Sequence, residues 1–369
     1  MNRDRRLALQ LVMFGLLVLP ATRLRAEDFP IPAGEFALTH YVCQRIDTPP
    51  VIDGRLDDPA WEQADWTDDF VDIEGAAGPA PRFFTRVKML WDVGFFYVAA
   101  LMEEPDVWAS LTRRDAVIYH DNDFEVFIDP DGDNHLYYEL EINALGTVWD
   151  LLLIKPYRDG GPAVNAWDIQ GLQTGVNVLG SLNDPTDTDG GWSVELAFPW
   201  EVLGQCANRP APPEEGDIWR VNFSRVEWQT EALGTRYTKV RDPETDQPLP
   251  EANWVWSPQG LINMHYPEMW GNVVFVSGVT SREDPVTPPS APARRGMQVY
   301  YQQKRWHASH GSFAASVELL DLPRNWRWPG HELTATASSF EFSGPTAGGR
   351  LYVNHLGRCW LIPDDLASQ

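Results

Sequence analysis

Hydrophobic and polar residues alternate with a period of two through most of the chain between residues 40 and 278. The clearest runs are DFEVFID at 123–129 and YYELEIN at 137–143. Such alternation is typical of strands that have one apolar and one polar face. The segment PDGDN at 130–134 separates the two runs and is rich in turn residues, so it predicts an antiparallel hairpin.

Further strands are predicted where short runs of apolar residues lie between turn residues. These runs are residues 82–91, 95–102, 148–154, 192–198, 218–225, 237–240 and 273–276. Many short strands with few helical patterns favour an all-β fold, and we expect a two-sheet antiparallel β-sandwich of the jelly-roll type.

The pattern changes after residue 278, where prolines among small and charged residues predict an extended linker at 279–296. A helical segment at 296–320 and strands at 333–342 and 351–360 then predict a small α+β domain at 297–363. The stretch VYYQQKRWHASHGSFAASVELLDLP resembles the helix-to-strand region of pilin-like subunits. A generic small α+β domain is the alternative interpretation.

Residues 1–26 have the pattern of a secretory signal peptide. Three arginines precede the apolar run 11–19, and Ala26 precedes an acidic start. The apolar run is too short to span a bilayer as a helix. We therefore expect a secreted or periplasmic protein that has no membrane span after signal removal, with the β-sandwich at residues 35–278.

Acidic residues outnumber basic ones, 53 to 29, and the formal net charge is −24 at pH 7. Nucleic acid and anionic lipid should repel such a chain, so we expect no nucleic-acid partner, and a neutral glycan or a cation is the better candidate. The three cysteines, Cys43, Cys206 and Cys359, allow at most one disulfide and are too widely spaced for a metal knuckle.

The stretch VIDGRLDDPAW at residues 51–61 is the most distinctive local sequence. Its first two residues end an apolar run, Asp53 and Gly54 have turn chemistry, and Asp58 and Pro59 are suited to the start of a helix. The residues alone predict a strand, a tight turn and one helical turn.

Five further blocks follow this stretch in order. They are RVKMLWDVGFFYVAALMEEPDVW, DNDFEVFIDPDGDNHLYYELEINALGTVWDLLL, GWSVELAFPWEVL, GDIWRVNFSRVE and WSPQGLINMHYPEMWGNVVF. Together the six blocks resemble a family 9 carbohydrate-binding module over roughly residues 40–278. The resemblance implies a non-catalytic protein that binds a polysaccharide or the end of a glycan in plant or microbial polysaccharide breakdown, with glycoside hydrolases as partners.

The resemblance also implies a site, because family members clamp a sugar between two aromatic rings and bind its hydroxyls with a glutamate, an arginine and asparagines. Glu125 and Asn143 correspond to the glutamate and one asparagine, and Tyr119 to the first ring. Glu141 stands in place of the arginine, and Met264 in place of the second ring. The neighbours that could rebuild the second wall are His265, Tyr266 and Trp270.

Two acidic groups allow more than one interpretation. Asp129, Asp131 and Asp133 alternate as calcium ligands do and are candidate ligands of a structural Ca²⁺, but the rest of the calcium-loop spacing is missing, which favours a hairpin turn. The acidic residues of the loop at 184–189 allow the same two interpretations, a metal site or a turn. The second group, Glu125, Glu139 and Glu141, forms either a cation or hydroxyl site or a solvated face that Arg86 and Lys88 neutralise.

The tryptophans divide into two predicted groups. Those with apolar neighbours on strands are expected in the core: Trp91, Trp192, Trp219 and Trp256. Those near loops and strand ends are candidates for exposed stacking platforms, with packing as the alternative: Trp108, Trp167 and Trp228.

No GxSxG, HExxH or Walker motif is present. Glu125 and Glu141 could in principle serve as acid and base on an O-glycosyl bond, so a glycoside hydrolase is one alternative function. The other alternative is an envelope structural or adaptor protein that has lost sugar binding and contacts envelope proteins.

Overall fold

The computed structural model describes residues 29–33, 39–278 and 290–364, which are mostly β-structure with few helices. The predicted signal peptide and residues 279–289 of the predicted linker lie outside the described residues. The strands are β1 (His40–Arg45), β2 (Val71–Asp72), β3 (Thr85–Trp91), β4 (Phe95–Met102), β5 (Asp123–Asp129), β6 (Tyr137–Asn143), β7 (Val148–Leu153), β8 (Ala163–Val164), β9 (Gln173–Val178), β10 (Trp192–Pro199), β11 (Ile218–Glu227), β12 (Thr230–Leu233), β13 (Arg236–Lys239), β14 (Ala252–Val255), β15 (Gly271–Val276), β16 (Glu332–Ala335), β17 (Phe340–Thr346), β18 (Gly349–Asn354) and β19 (Cys359–Pro363).

The helices are mostly short 3-10 turns. The α-helices are α1 (Trp200–Leu203) and α2 (Ser290–His310). The 3-10 helices are Pro59–Gln63, Gly75–Ala77, Ile118–His120, Tyr157–Asp159, Pro267–Met269 and Val317–Leu319. No helix in the described parts of the chain is long and apolar enough to cross a membrane.

Thirteen of the strands in the described residues form one curled, mixed sheet, whose main path is β8-β7-β6-β5-β11-β15-β1-β3-β4-β10-β9. Strand β1 runs parallel to both β15 and β3, whereas the other pairings in this sheet are antiparallel. The prediction of a purely antiparallel fold is therefore wrong at β1. Period-two alternation reports which face a residue occupies and carries no information on strand direction.

The two ends of the sheet curl around a shared core. Val98 of β4 and Leu196 of β10 belong to the same hydrophobic cluster as Val126 of β5 and Leu140 of β6. The alternate residues of β5 and β6 therefore point away from this core. The tryptophans predicted for the core are buried, as expected: Trp91, Trp192, Trp219 and Trp256.

The distinctive stretch at residues 51–61 forms a turn and the 3-10 helix Pro59–Gln63, without the predicted strand. Gly54 has a φ of +89°, a conformation that favours glycine. The Glu195 carboxylate of β10 accepts hydrogen bonds from the backbone N–H groups of Asp53 and Gly54 and from Nε1 of Trp61. These backbone groups bond a side chain instead of a neighbouring strand, which is why the segment is a turn attached to the sheet.

Residues 290–364 form α2 and a four-stranded antiparallel sheet in the order β16-β17-β18-β19. Helix α2 begins at Ser290, so the part of the predicted linker from residue 290 to 296 is helical. A proline in the first helical turn, here Pro292, is tolerated because the N–H groups there have no intrahelical partner. The division of the chain into domains stays a prediction.

Three predicted elements of this C-terminal region have different bounds. The helix predicted to reach residue 320 ends at His310, and Gly311 follows with a φ of +71°. The strand predicted at 333–342 is interrupted by a turn that hydrogen bonds between Thr336 and Ser339 stabilise. The strand predicted at 351–360 is likewise divided between β18 and β19.

All three cysteines are free.

Candidate functional site

Four carboxylates lie on the outer face of the hairpin formed by β5 and β6. Glu125 is directly opposite Glu141, with Asp123 next along β5 and Glu139 next along β6 on the same face. We call these four residues the acidic cluster. Oxygens of Asp123, Glu125 and Glu141 lie within 4.8 Å of one another.

The acidic cluster is almost fully removed from water, since none of its side chains is more than 6% exposed. Burial raises the pKa of Glu125 to about 7. Burial first, and then neighbouring carboxylates, raise the pKa values of Asp123, Glu139 and Glu141 well above the usual range. No ion pair between described residues includes a member of the cluster. Protons or a ligand must therefore offset the cost of burying these groups.

Arg86 and Lys88 do not neutralise the cluster, so that interpretation is wrong. The Arg86 guanidinium lies 4.7 Å from the centre of the Trp66 ring, and Lys88 donates from Nζ to the carbonyl of Trp61 at 2.6 Å. Their strand β3 is separated from β5 by three other strands of the sheet. A sequence pattern shows that these residues share a strand face but does not show which strands are neighbours.

Two exposed tyrosines adjoin the acidic cluster. Tyr119, in the 3-10 helix Ile118–His120, is 37% exposed, and its backbone N–H donates to Oε2 of Glu141 at 2.9 Å. Tyr157, in the 3-10 helix Tyr157–Asp159, is 48% exposed. Burial, then the charges of Glu139 and Glu141 and the Tyr119 hydroxyl, raise the pKa of Tyr157 to about 12. The two rings therefore lie near the same carboxylates.

His265 packs against Tyr157 and links it to Tyr137 of β6. The two rings are 4.5 Å apart in an edge-to-face arrangement, and Nδ1 of His265 shares a hydrogen bond with the Tyr137 hydroxyl at 2.9 Å. Burial, and then the charge of Arg158, lower the pKa of His265 to about 3. His265 is therefore a neutral support for the exposed ring.

Met264 and Trp270 lie in the interior. Both belong to a hydrophobic cluster with Tyr137, and Nε1 of Trp270 donates to the carbonyl of Met264 at 2.9 Å. Tyr266 is fully buried in a different cluster, and its hydroxyl donates to the carbonyl of Pro30 at 3.0 Å. Neither Trp270 nor Tyr266 presents a ring face at the surface, so neither rebuilds the second wall in this structure.

Asn143 is also buried, and its amide is occupied by hydrogen bonds within the protein. Its Nδ2 donates to Oδ2 of Asp121 at 3.0 Å and to the carbonyl of Leu111 at 2.9 Å. Its Oδ1 accepts from the N–H groups of Leu145 and Thr147. In this arrangement Asn143 fixes the loops at the end of the hairpin, and contact with a ligand stays a prediction.

The predicted calcium ligands lie in the β5–β6 turn. Oxygens of Asp129, Asp131 and Asp133 are within 4.8 Å of one another. Asp129 accepts two backbone N–H hydrogen bonds, and Asp133 accepts one from Nε of Arg358 at 2.6 Å. An arginine therefore already offsets part of the charge here, and Ca²⁺ at this loop stays a prediction.

The loop at 184–189 also uses its carboxylates within the protein. Asp189 is buried and accepts hydrogen bonds from the N–H groups of Val107 and Ser181. Asp184 accepts from the N–H and the hydroxyl of Thr186. These contacts are those of a turn.

The tryptophans proposed as exposed platforms are packed. Trp108 and Trp228 are each 9% exposed, and Lys239 Nζ lies 3.2 Å from the centre of the Trp228 ring. Trp167 stacks on Tyr138 with 4.9 Å between ring centres. The packing interpretation is the one that fits these residues.

Two aromatic residues of the site were missed in the sequence. Trp149 of β7 is directly opposite Glu141 and is partly buried. The period-two pattern of β7, combined with pairing to the preceding strand, could have identified it. Tyr157 lies in a short 3-10 helix between two strands, where no period-two pattern indicates which way a side chain points.

Residues 52–276 match the family described as carbohydrate family 9 binding domain-like. Over 154 residues, 42% of this chain, the sequence is 28% identical to exoglucanase XynX of Acetivibrio thermocellus and 28% identical to endo-1,4-beta-xylanase A of Thermoanaerobacterium saccharolyticum. The match spans only 12% and 11% of the lengths of those two relatives.

Two solved structures of a family 9 carbohydrate binding module from Caldicellulosiruptor kristjanssonii, one with cellotriose and one with glucose, are also similar. Each match covers 68% of this chain and 100% of the other, with a TM-score of 0.43 and sequence identities of 17% and 16%. The family match covers well over half of the chain and includes the acidic cluster and both exposed tyrosines. The chain therefore belongs to the carbohydrate family 9 binding domain-like family.

Proposed function

We propose that the chain binds carbohydrate non-covalently at the surface formed by Tyr119 and Tyr157, beside the buried acidic cluster. The observation that carries this proposal is the pair of exposed rings beside buried polar groups, within the family domain. The apolar faces of a sugar pack on aromatic rings, and its hydroxyls require hydrogen-bonding partners. The surface offers both kinds of contact.

The proposed site differs from the pattern of the family in two respects. Glu141 occupies the position at which the resemblance implies an arginine, and its carboxylate lies opposite Glu125. Tyr157, from a different loop, takes the place of the second wall that Met264 does not provide. A negatively charged glutamate in place of a positively charged arginine favours a ligand different from the one that the arginine would select.

In this proposal the protein is secreted or periplasmic and takes part in polysaccharide breakdown. Its curled sheet forms the two layers of a sandwich. Two relatives named as an exoglucanase and a xylanase contain a similar segment. That similarity supports glycoside hydrolases as the class of partner.

Calorimetric titration of the full chain with cellotriose and with xylo-oligosaccharides tests the proposal. Alanine at Tyr119 or at Tyr157 should weaken binding at least tenfold, because each change removes one stacking face. Tyr352→Ala is the matched control, since Tyr352 stacks on Trp360 in the C-terminal sheet, with 5.5 Å between ring centres. Failure of the wild-type chain to bind any polysaccharide, including those on a glycan array, would contradict the proposal and favour the envelope structural or adaptor role.

Glycoside hydrolysis is a second candidate because the oxygens of Glu125 and Glu141 lie within 4.8 Å. Retaining glycosidases place their two carboxyl groups about 5–5.5 Å apart. Against this function, burial raises the pKa values of both residues, whereas a carboxylate nucleophile must be ionised. Release of reducing sugar by the pure protein, abolished in Glu125→Gln, would establish hydrolysis instead.

A further inference from the structure

We propose that Asp123, Glu125 and Glu141 hold a divalent cation of the calcium type, and that sugar hydroxyls bind to this cation between the two exposed tyrosines. The second half of this inference rests on the proposed carbohydrate function. The first half can be measured without any sugar.

The geometry of the three carboxylates suits a shared cation. Their oxygens lie within 4.8 Å of one another. Calcium–oxygen distances are about 2.3–2.6 Å, so two oxygens on opposite sides of one ion are separated by about 5 Å. The three side chains can therefore reach one ion from their present positions.

An additional carboxylate beside these three has an oxygen without a partner. Glu139 is 5% exposed and lies on the same face, next to Glu141 along β6. Its Oε2 is buried and has no hydrogen-bond donor among the described residues, and the same holds for Oδ2 of Asp123. Buried oxygens of this kind are rare unless a partner compensates them, which points to a positively charged ligand at this face.

The basic residues nearby are engaged elsewhere. Lys239 packs on the ring of Trp228, and the carboxylates that interact with its charge are Asp121 and Glu251. The carboxylates of the β5–β6 turn differ, because Arg358 contacts Asp133. Within the part of the chain that the structure describes, no basic side chain forms an ion pair with the acidic cluster.

The hydrogen bond between Tyr119 and Glu141 connects the proposed cation site to the proposed sugar-binding surface. The N–H of Tyr119 donates to Oε2 of Glu141 at 2.9 Å, so the position of the exposed ring depends on a proposed ligand. A cation at this carboxylate would lie beside the ring and could accept sugar hydroxyls as further oxygen ligands.

Calorimetric titration of the EDTA-treated full chain with CaCl₂ tests the cation site. We expect binding by the wild type, and binding at least tenfold weaker in Glu125→Gln and in Glu141→Gln. Asp131→Asn is the matched control, because it changes the rival cluster in the β5–β6 turn, and it should bind Ca²⁺ like the wild type. Thermal unfolding without Ca²⁺ verifies that each variant folds, and added Ca²⁺ should raise the melting temperature of the wild type and of Asp131→Asn only.

No Ca²⁺ binding by the wild type, or loss of binding in Asp131→Asn and not in the glutamine variants, would overturn the cation site. Titration with cellotriose in Ca²⁺ and in EDTA then separates the two halves of the inference. Sugar binding that is lost in EDTA supports the whole inference. Equal sugar binding in both buffers overturns the link while leaving the proposed function intact, and Ca²⁺ binding without binding of any sugar leaves the cation site and removes the function.

Discussion

His265 shows how a single, partly buried side chain supports the candidate surface. The ring lies under Tyr157 and shares a hydrogen bond with Tyr137. Because burial lowers its pKa from 6.5 to about 3, the folded protein keeps this histidine neutral over a range in which the unfolded chain protonates it. The interaction is favourable near neutral pH and becomes a source of instability in acid.

We predict that His265→Gln reduces the acid sensitivity of the fold. Between pH 6.5 and pH 3 the unfolded state binds the extra proton, so His265 contributes stability that is present above its unfolded pKa and is lost as the pH falls. The loss amounts to about 2 kcal/mol at pH 5. Urea unfolding of both proteins at pH 7 and pH 5 measures it, and an equal decrease in the two proteins would contradict the prediction.

Within the element scale, the turn at residues 51–61 depends on a close contact between two backbones. A Cβ atom on Gly54 would lie 2.6 Å from backbone atoms of Val176 and Asn177 in β9. The turn therefore requires glycine both for its positive φ and for the space above the sheet.

The left-handed conformation alone costs an alanine about 1–2 kcal/mol. We predict that Gly54→Ala destabilises the protein by more than this amount, because the added Cβ also meets the backbone of β9. Gly234→Ala is the matched control, since Gly234 has a φ of +67° and a Cβ there would have no atom within 4 Å. Urea unfolding of the two variants gives the difference, and equal losses would show that the contact with β9 has no energetic effect.

The loops that position Tyr157 and His265 are joined by a buried ion pair. Arg158 is next to Tyr157, and its Nη2 donates to Oε2 of Glu268 at 2.9 Å. The guanidinium also lies 4.1 Å from the centre of the Tyr266 ring. Helix α2 completes the contact, because the hydroxyl of Tyr301 donates to Glu268.

We predict that Arg158→Met costs about 3–5 kcal/mol, because it leaves Glu268 buried without its partner. The double variant with Glu268→Gln should recover part of this loss, since the uncompensated charge is then removed. Chemical unfolding of both variants is the measurement. A double variant less stable than Arg158→Met would show that the unpaired charge of Glu268 is not the cause of the lost stability.

The sequence predicts the strands better than it predicts the site. Strand β4 has the bounds that alternation predicts, and the hairpin of β5 and β6 is confirmed, because both depend on local patterns. The parallel pairing of β1 depends on contacts between distant residues. The pattern also places Glu125 and Glu141 on a polar face, but it does not predict that this face is buried, because burial depends on contacts between residues distant in the chain.

Across the whole molecule, charge is distributed unevenly. Residues 39–278 contain 15 Lys and Arg against 41 Asp and Glu, whereas residues 290–364 contain 8 against 5. Among the described residues, cations of the C-terminal region contact the acidic part directly: Arg358 pairs with Asp133, and Lys304 with Asp159 at 2.8 Å. The C-terminal region thus supplies positive charge to the β5–β6 turn and to the loop that carries Tyr157.

The two parts of the protein also share a hydrophobic core. Tyr266 and Met269, which follow His265 in the chain, belong to the same cluster as Phe342 and Met297 of the C-terminal region. Loosening that core should therefore loosen the loop behind the candidate surface, while leaving the main core of the curled sheet packed.

We predict that Phe342→Ala, at a fully buried position, costs about 3–5 kcal/mol and speeds amide exchange in residues 264–270. Strand β4 should exchange at the wild-type rate, because its side chains pack in other clusters. Hydrogen exchange followed by mass spectrometry compares the two segments, and Val194→Ala, in the main core, is the control that should have the opposite pattern. Exchange that rises equally in both segments would mean that the molecule opens only as one unit, and unchanged exchange at 264–270 would mean that the C-terminal region does not support the loop.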